Sequence, residues 1–169
     1  LGARIAELDT RISELDRKLV ALHKAMPVSR LLAEVPGIGP IGAATLALTV
    51  DPRAFRSGRH FAAWLGLTPR EHSTGGKQRL GGISRQGNER LRQLLVLGAT
   101  SVIRVAKPGN KHASAWLLGL LGRRPRMVAA VALANKMARI VWAELAKVPP
   151  AQPVELPADG MMTSGEAYR

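Results

Sequence analysis

The chain has 169 residues, 46% of them hydrophobic, which is enough apolar material for one folded domain. Aromatic residues make up only 4% and cysteine is absent, which argues against an aromatic-rich β-sandwich and excludes a disulfide scaffold, a thiolate metal site and a cysteine nucleophile. The formal net charge of +13 favours a polyanionic partner, nucleic acid before a membrane surface.

The positive charge is concentrated in the middle and later parts of the chain. Residues 1–51 carry six acidic and six basic side chains, and residues 151–169 have a net charge of −2. Residues 52–92 have a net charge of +7 and residues 100–150 a net charge of +8. This distribution indicates a phosphate-binding module that follows an electrically neutral element.

The first predicted element is a helix with a strict heptad pattern. Its apolar residues are spaced alternately by four and three positions: Leu1, Ile5, Leu8, Ile12, Leu15, Leu19, Leu22 and Met26. This is the a/d seam of a coiled coil, and Pro27 ends it. We predict a coiled-coil helix at 1–27 that joins copies of the chain or links domains, and the alternative is a helix packed on its own domain.

The second predicted element is a pair of short helices, Ser29–Val35 and about Ile41–Val50, joined by the sequence PGIGP. It resembles a helix-hairpin-helix motif. Gly37 and Gly39 would let the backbone approach a phosphate, and the free amides at the next helix start would receive the anion. Pro40 removes one of those amides, and a helix–helix turn without a ligand is the alternative.

The Gly-rich stretch 68–83 is predicted to be a long loop or a small hairpin. Ser73 on this stretch could attack a phosphodiester, with Lys77 and Arg79 stabilising the charge on the phosphate. An ordinary solvated turn is the alternative. The four histidines show no metal-ligand spacing, so the sequence predicts no metal site in this chain.

The third motif, ISRQGNERLR, begins a long predicted helix at about 86–104. Ser84 is predicted to cap this helix, and Arg85, Arg90 and Arg92 to project from its first turns towards phosphates. A solvated helix face is the alternative. Further helices at about 112–121 and 126–147 complete a mainly α domain over 28–148, and a disordered tail is expected at 149–169.

Residues 30–147 strongly resemble the carboxy-terminal half of the Piv-type DEDD insertion-sequence transposases (insertion sequence family 110 and its relatives). The resemblance is carried by VPGIGPIGAATL and by FAAWLGLTPREHSTGGKQRLGGISRQGNERLRQLLVLGA. The preceding coiled coil also matches, since members of that family join their two halves by one.

The resemblance implies a site-specific DNA recombinase that moves an insertion sequence with a structured guide RNA. In such enzymes an amino-terminal RuvC-like domain holds four acidic metal ligands, and the carboxy-terminal domain supplies a nucleophilic serine. That serine falls on Ser73, with Thr74 and Ser84 as alternatives. No RuvC-like pattern occurs in these 169 residues, so we expect half of the enzyme, inactive alone, with Mg²⁺ on the missing domain and no cofactor in this chain.

The predicted function is therefore DNA transposition, with DNA, guide RNA and a second copy of the chain as partners. Two other classes remain open: a non-catalytic nucleic-acid-binding module of helix-hairpin-helix type, and a coiled-coil adaptor whose basic surface is incidental. A signal peptide is not apparent and uncharged apolar runs stay below about 18 residues, so a cytoplasmic location without a membrane partner is expected.

Overall fold

A computed structural model describes residues 2–71, 80–110 and 113–149, and these ranges are mainly helical, as predicted. The helices are α1 (Gly2–Ala25), α2 (Pro27–Ala33), α3 (Pro40–Thr49), α4 (Gly58–Trp64), α5 (Glu89–Val105), α6 (Ala115–Leu121) and α7 (Arg126–Lys147). A 3-10 helix lies at Pro52–Ala54, and the strands β1 (Pro69–Glu71) and β2 (Leu80–Ile83) form one antiparallel sheet. The expected tail from residue 150 onward lies outside the described residues.

The predicted first helix is present as α1, which contacts α2 and α3. Its partly buried residues all lie in its carboxy-terminal part, between Leu19 and His23, and residues 2–18 are exposed. Four of its a/d residues are more than half exposed: Ile5, Leu8, Ile12 and Leu15. The fully buried Ser29 hydroxyl lies 2.8 Å from Nδ1 of His23 and links α2 to the end of α1. The amino-terminal part of α1 therefore presents an apolar stripe that the described part of this chain leaves exposed.

The core is centred on the long helices α5 and α7, with α2, α3 and α4 packed around them. On α5 the buried residues recur at helical spacing, as in Leu91 and Leu95, and on α7 the small residues Ala134 and Ala138 are fully buried. Phe61 of α4 is also fully buried in this cluster. A second, smaller cluster packs α6 against α5 and α7.

The connection between α2 and α3 lies directly on the backbone of α5. Gly37 has a φ of +91°, and a Cβ there would lie 2.7 Å from the carbonyl oxygen of Gly98. Because neither glycine has a side chain, the two backbones can meet. This contact fixes the α2–α3 unit on the core.

The loop before α4 begins with an acid-capped turn. The Asp51 side chain accepts hydrogen bonds from the amide and the side chain of Arg53, each at 3.0 Å. These bonds, the side-chain bond first, hold the pKa of Asp51 below its ordinary value.

Candidate nucleic-acid interface

The two described ends of the stretch 68–83 pair with each other as the antiparallel strands β1 and β2, and we call this paired part the hairpin base. In the register of its two strands, Pro69 faces Ile83 and Glu71 faces Leu80, with an irregularity between the two pairs. The candidate nucleophile and its neighbours come between the strands and lie outside the described residues; they are His72, Ser73, Thr74, Lys77 and Arg79. The structure therefore describes the base of this hairpin.

The chain leaving β2 is held against the end of α4. The amide of Ser84 donates to the carbonyl of Thr68 at 2.9 Å, and the amide of Arg85 donates to the carbonyl of Gly66 at 3.2 Å. Arg85 has a φ of +57° and Gly87 a φ of +70°. A side chain at Gly87 would meet the carbonyl oxygen of Trp64, so only glycine allows this close approach.

Arg92 is placed differently from the sequence prediction. The sequence predicts that its side chain projects towards phosphate, but the residue is only 9% exposed. Its Nη1 donates to the carbonyl oxygens of Leu65 at 3.1 Å and Gln86 at 2.8 Å. Leu65 ends α4, where carbonyl groups carry partial negative charge that stabilises a cation. The phosphate assignment of Arg92 is therefore corrected: this arginine ties the hairpin exit to α4.

Two further side chains hold the hairpin. Asn135 of α7 donates through Nδ2 to the carbonyl of Leu67 at 3.2 Å, and Arg70 donates through Nη2 to the carbonyl of Ser84 at 3.0 Å. Sequence reasoning missed Asn135, because no local pattern marks a residue whose partner lies 68 positions away. The hairpin base is thus fixed by bonds from α5, α7 and β1.

The helix cap is also placed differently from the sequence prediction. The helix α5 begins at Glu89, and the side chain of Asn88 accepts a hydrogen bond from the amide of Leu91 at 3.0 Å. The Oγ of Ser84 is buried and has no hydrogen-bond partner within the described residues. The turn through Gly87 delays the helix start, so the cap falls on Asn88, a residue type equally suited to it.

The cations of the third motif lie beside a large groove, which we call the α5–α7 groove. It encloses about 1590 Å³ between β2, α5, α6 and α7. Arg85 and Arg90 are exposed along it, and Lys136 and Arg139 of α7 line it as well. The sequence predicts Arg85 on the first turns of the helix, but this residue precedes α5, which begins at Glu89. The Nζ of Lys136 lies 4.5 Å from the ring centroid of Trp116. Sequence reasoning missed the two α7 cations, since only the packing of α7 on α5 places them on the same groove as Arg85 and Arg90.

The two glycines of the PGIGP sequence have different environments. Gly37 is packed against Gly98 of α5, so its role is structural: it allows the α2–α3 connection to contact α5. Gly39 has a φ of −81°, precedes Pro40 at the start of α3, and would have nothing within 4 Å of an added Cβ. Between the two, only the backbone at Gly39 has open space for a phosphate.

The described ranges contain no group of three or more His, Asp and Glu side chains that could hold a metal ion. They also contain no helix long and apolar enough to cross a membrane. The chemistry of this surface, in the part of the chain that the structure describes, is that of arginine and lysine cations beside a rigidly held hairpin.

Comparisons with known proteins give one consistent result. Residues 29–114 match the family described as Transposase IS116/IS110/IS902. The chain is 52% identical to a Sinorhizobium fredii protein named as transposase y4pF/y4sB, over 99% of this chain and 40% of that protein. It is 39% identical to the transposase for insertion sequence element IS1111A of Coxiella burnetii, over 87% of this chain and 41% of that protein. It is 40% identical to the transposase for insertion sequence element IS1328 of Yersinia enterocolitica, over 78% of this chain and 40% of that protein. The chain spans less than half the length of these relatives.

Proposed function

Because the chain belongs to the IS116/IS110/IS902 transposase family, we propose that it binds DNA and supplies a serine nucleophile as the carboxy-terminal half of a Piv-type DEDD transposase. The observation that carries this proposal is a hairpin with a rigid base beside a row of exposed cations. The reaction we assign to the whole protein is DNA cleavage and strand exchange during transposition.

The hairpin is suited to carrying a nucleophile. Its base is tied by Arg92 and Asn135 to backbone carbonyls of Leu65, Gln86 and Leu67. A reactive group borne on a fixed base loses less entropy when it meets its substrate. The sequence between the two strands contains Ser73, which we propose as the nucleophile.

The proposed step is an attack of the Ser73 hydroxyl oxygen on a DNA phosphorus. A serine–phosphorus bond forms, the bond from phosphorus to the leaving DNA oxygen breaks, the serine proton leaves and the departing oxygen takes up a proton. Lys77 and Arg79 would stabilise the added charge on the phosphate. We assign the Mg²⁺ implied by the resemblance to the amino-terminal half of the whole transposase.

The proposed DNA contacts are made by the exposed cations of the α5–α7 groove. The sequence predicts phosphate contacts for Arg85 and Arg90, and Lys136 and Arg139 extend the same positive surface. Such contacts to phosphates position a nucleic acid without reading its bases. We propose that the backbone at Gly39 adds a further phosphate contact, and that a guide RNA uses the same class of electrostatic contact.

The exposed stripe of α1 supports self-association. Ile5, Leu8, Ile12 and Leu15 are between 52% and 58% exposed and have strict heptad spacing. A second copy of the helix would bury these side chains in a coiled coil. We therefore propose a homo-oligomer that forms through α1.

The test is a full-length transposase of this family rebuilt around this chain and incubated with its DNA. We expect a covalent protein–DNA adduct that survives denaturation and that is lost in Ser73→Ala but kept in the matched control Thr74→Ala. If the adduct is lost in Thr74→Ala and kept in Ser73→Ala, the nucleophile is Thr74. DNA binding without an adduct in any variant would instead establish the non-catalytic helix-hairpin-helix module.

A further inference from the structure

The floor of the α5–α7 groove is apolar, and much of it is open to solvent. Leu97 is 66% exposed, Met127 63% and Val128 51%, while Trp116 and Ile140 are 40% and 37% exposed. All five residues line the same groove. A monomeric protein rarely exposes so many large apolar side chains together unless another molecule or segment covers them.

The rim of the groove is positively charged and therefore favours an occupant with negative charge. Arg85, Arg90, Lys136 and Arg139 are exposed cations on it, and Glu89 is the carboxylate among its described lining residues. Nucleic acid would neutralise the rim but would offer phosphates rather than apolar surface to the floor. The groove as a whole fits a peptide that has both aliphatic and acidic side chains.

Residues 150–169 of the chain have this composition. The segment contains one valine, one leucine, two methionines and three acidic residues: Val154, Leu156, Met161, Met162, Glu155, Asp159 and Glu166. It starts directly after Pro149, and Ala143 and Ile140 of α7 already line the near end of the groove.

The length of the segment is sufficient. The distance along α7 from Val148 back to Val128 is about 30 Å at 1.5 Å per residue. The 13 residues from Val148 to Met161 can extend about 43 Å. A segment tethered this closely also has a high effective concentration at the groove.

We propose that residues 150–169 fold back along α7 and occupy the α5–α7 groove of their own chain. The aliphatic side chains cover the floor and the acidic side chains meet the cations of the rim. Since Arg85 and Arg90 are also the proposed phosphate contacts, the docked segment competes with DNA. This consequence rests on the proposed function, whereas the docking itself does not.

The docking is tested with a paramagnetic label, which the cysteine-free sequence makes site-specific. A nitroxide attached through Met161→Cys should broaden the methyl signals of Leu97 and Val128. The methyl signals of Leu48, which is exposed but lines a separate depression, should remain sharp. The double substitution Val154→Ser with Leu156→Ser should restore the signals of Leu97 and Val128, because it removes aliphatic side chains from the segment without changing its charge.

A mixed sample separates the possible occupants. Isotope-labelled chain without nitroxide is combined with nitroxide-labelled chain of natural isotopic abundance. Sharp signals in this mixture support docking within one chain, whereas broadened signals would show that the segment docks into a second copy. Sharp Leu97 and Val128 signals in the nitroxide-labelled chain itself would overturn the docking.

Competition is tested by titration with a random-sequence duplex. If the segment covers the groove in about 70–90% of molecules, the charge-neutral variant Val154→Ser with Leu156→Ser should tighten duplex binding about threefold to tenfold. If the double variant binds the duplex with unchanged affinity, and the nitroxide-labelled parent chain still shows the broadened Leu97 and Val128 signals, the competition is overturned and the docking is supported. A chain that binds no duplex at all would contradict the proposed function, and the methyl signals would still decide the docking.

Discussion

Individual arginines on α5 have opposite roles although they are two positions apart. Arg90 is exposed beside the α5–α7 groove, whereas Arg92 is 9% exposed and bound to two backbone carbonyls. A helix turns about 200° over two residues, so adjacent cations of one motif face different surroundings. A basic sequence motif therefore does not identify which of its cations is free for phosphate.

Arg92→Ala and Arg90→Ala should separate these roles. Arg92→Ala removes the donor to the carbonyls of Leu65 and Gln86, the first of these bonds being buried, and should lower the free energy of unfolding by about 2–4 kcal/mol. Arg90→Ala should change stability by less than about 0.5 kcal/mol but weaken duplex binding. Urea unfolding and salt-titrated DNA binding measure the two effects. Equal loss of stability in both variants would contradict the assignment.

The capping residues provide a second matched pair. Asn88→Ala should cost about 1 kcal/mol, because it removes the acceptor for the amide of Leu91. Ser84→Ala removes a buried hydroxyl that has no partner among the described residues, and should leave stability unchanged or slightly raised. Thermal unfolding of the two variants measures the difference. A larger loss of stability in Ser84→Ala than in Asn88→Ala would show that Ser84 caps the helix.

At the scale of elements, the fold separates a helix that extends away from the core from helices that form it. No residue of α1 is buried, whereas the α2–α3 unit is fixed through Gly37 against Gly98. Substitutions on these elements should therefore act on different properties, namely association for α1 and stability for the α2–α3 connection.

Leu8→Asp combined with Ile12→Asp should dissociate the proposed oligomer. Both residues are more than half exposed within one chain, so the core should keep its stability. Charges in an a/d seam oppose pairing of the helices. Light scattering should show a lower mass with unchanged helical content, and a wild-type chain that is already monomeric would exclude the coiled-coil proposal.

The two glycines before α3 should respond differently to substitution. Gly39→Val meets open space at an ordinary φ, so it should fold and weaken binding to unrelated duplexes by a similar factor. Gly37→Ala places a Cβ against the carbonyl of Gly98 at positive φ and should destabilise the fold by about 1–3 kcal/mol. Binding isotherms on two unrelated sequences, together with thermal unfolding, test this pair. An effect of Gly39→Val on one sequence alone would indicate base recognition.

At the scale of the whole molecule, the net charge of +13 acts through a small number of placed cations. If Arg85, Arg90, Lys136 and Arg139 each contact one phosphate, the logarithm of the binding constant should fall with the logarithm of salt concentration with a slope of about −4. Lys136→Gln should reduce the size of this slope by about one. A slope near zero would assign the basic surface to a role other than nucleic-acid binding.

The sequence by itself determined the mainly helical fold, because periodic apolar residues and their proline and glycine boundaries are local signals. The helix predicted at 126–147 has those bounds in the structure, and the described ends of the stretch 68–83 pair as antiparallel strands. The resemblance to the insertion-sequence transposases also came from the sequence, and the family match over residues 29–114 confirms it at that level.

Only the tertiary structure decided which candidate residues share a surface. Packing between distant segments buries Arg92 and brings Asn135 to the carbonyl of Leu67. It also places Arg85 and Arg90 on the same groove as Lys136 and Arg139. Such contacts form between elements that are distant in the sequence, so their free energy depends on how the elements pack and not on a local run of residues. For this reason local spacing predicted helices and turns, but it could not show which arginine the packing of α4, α5 and α7 would bury.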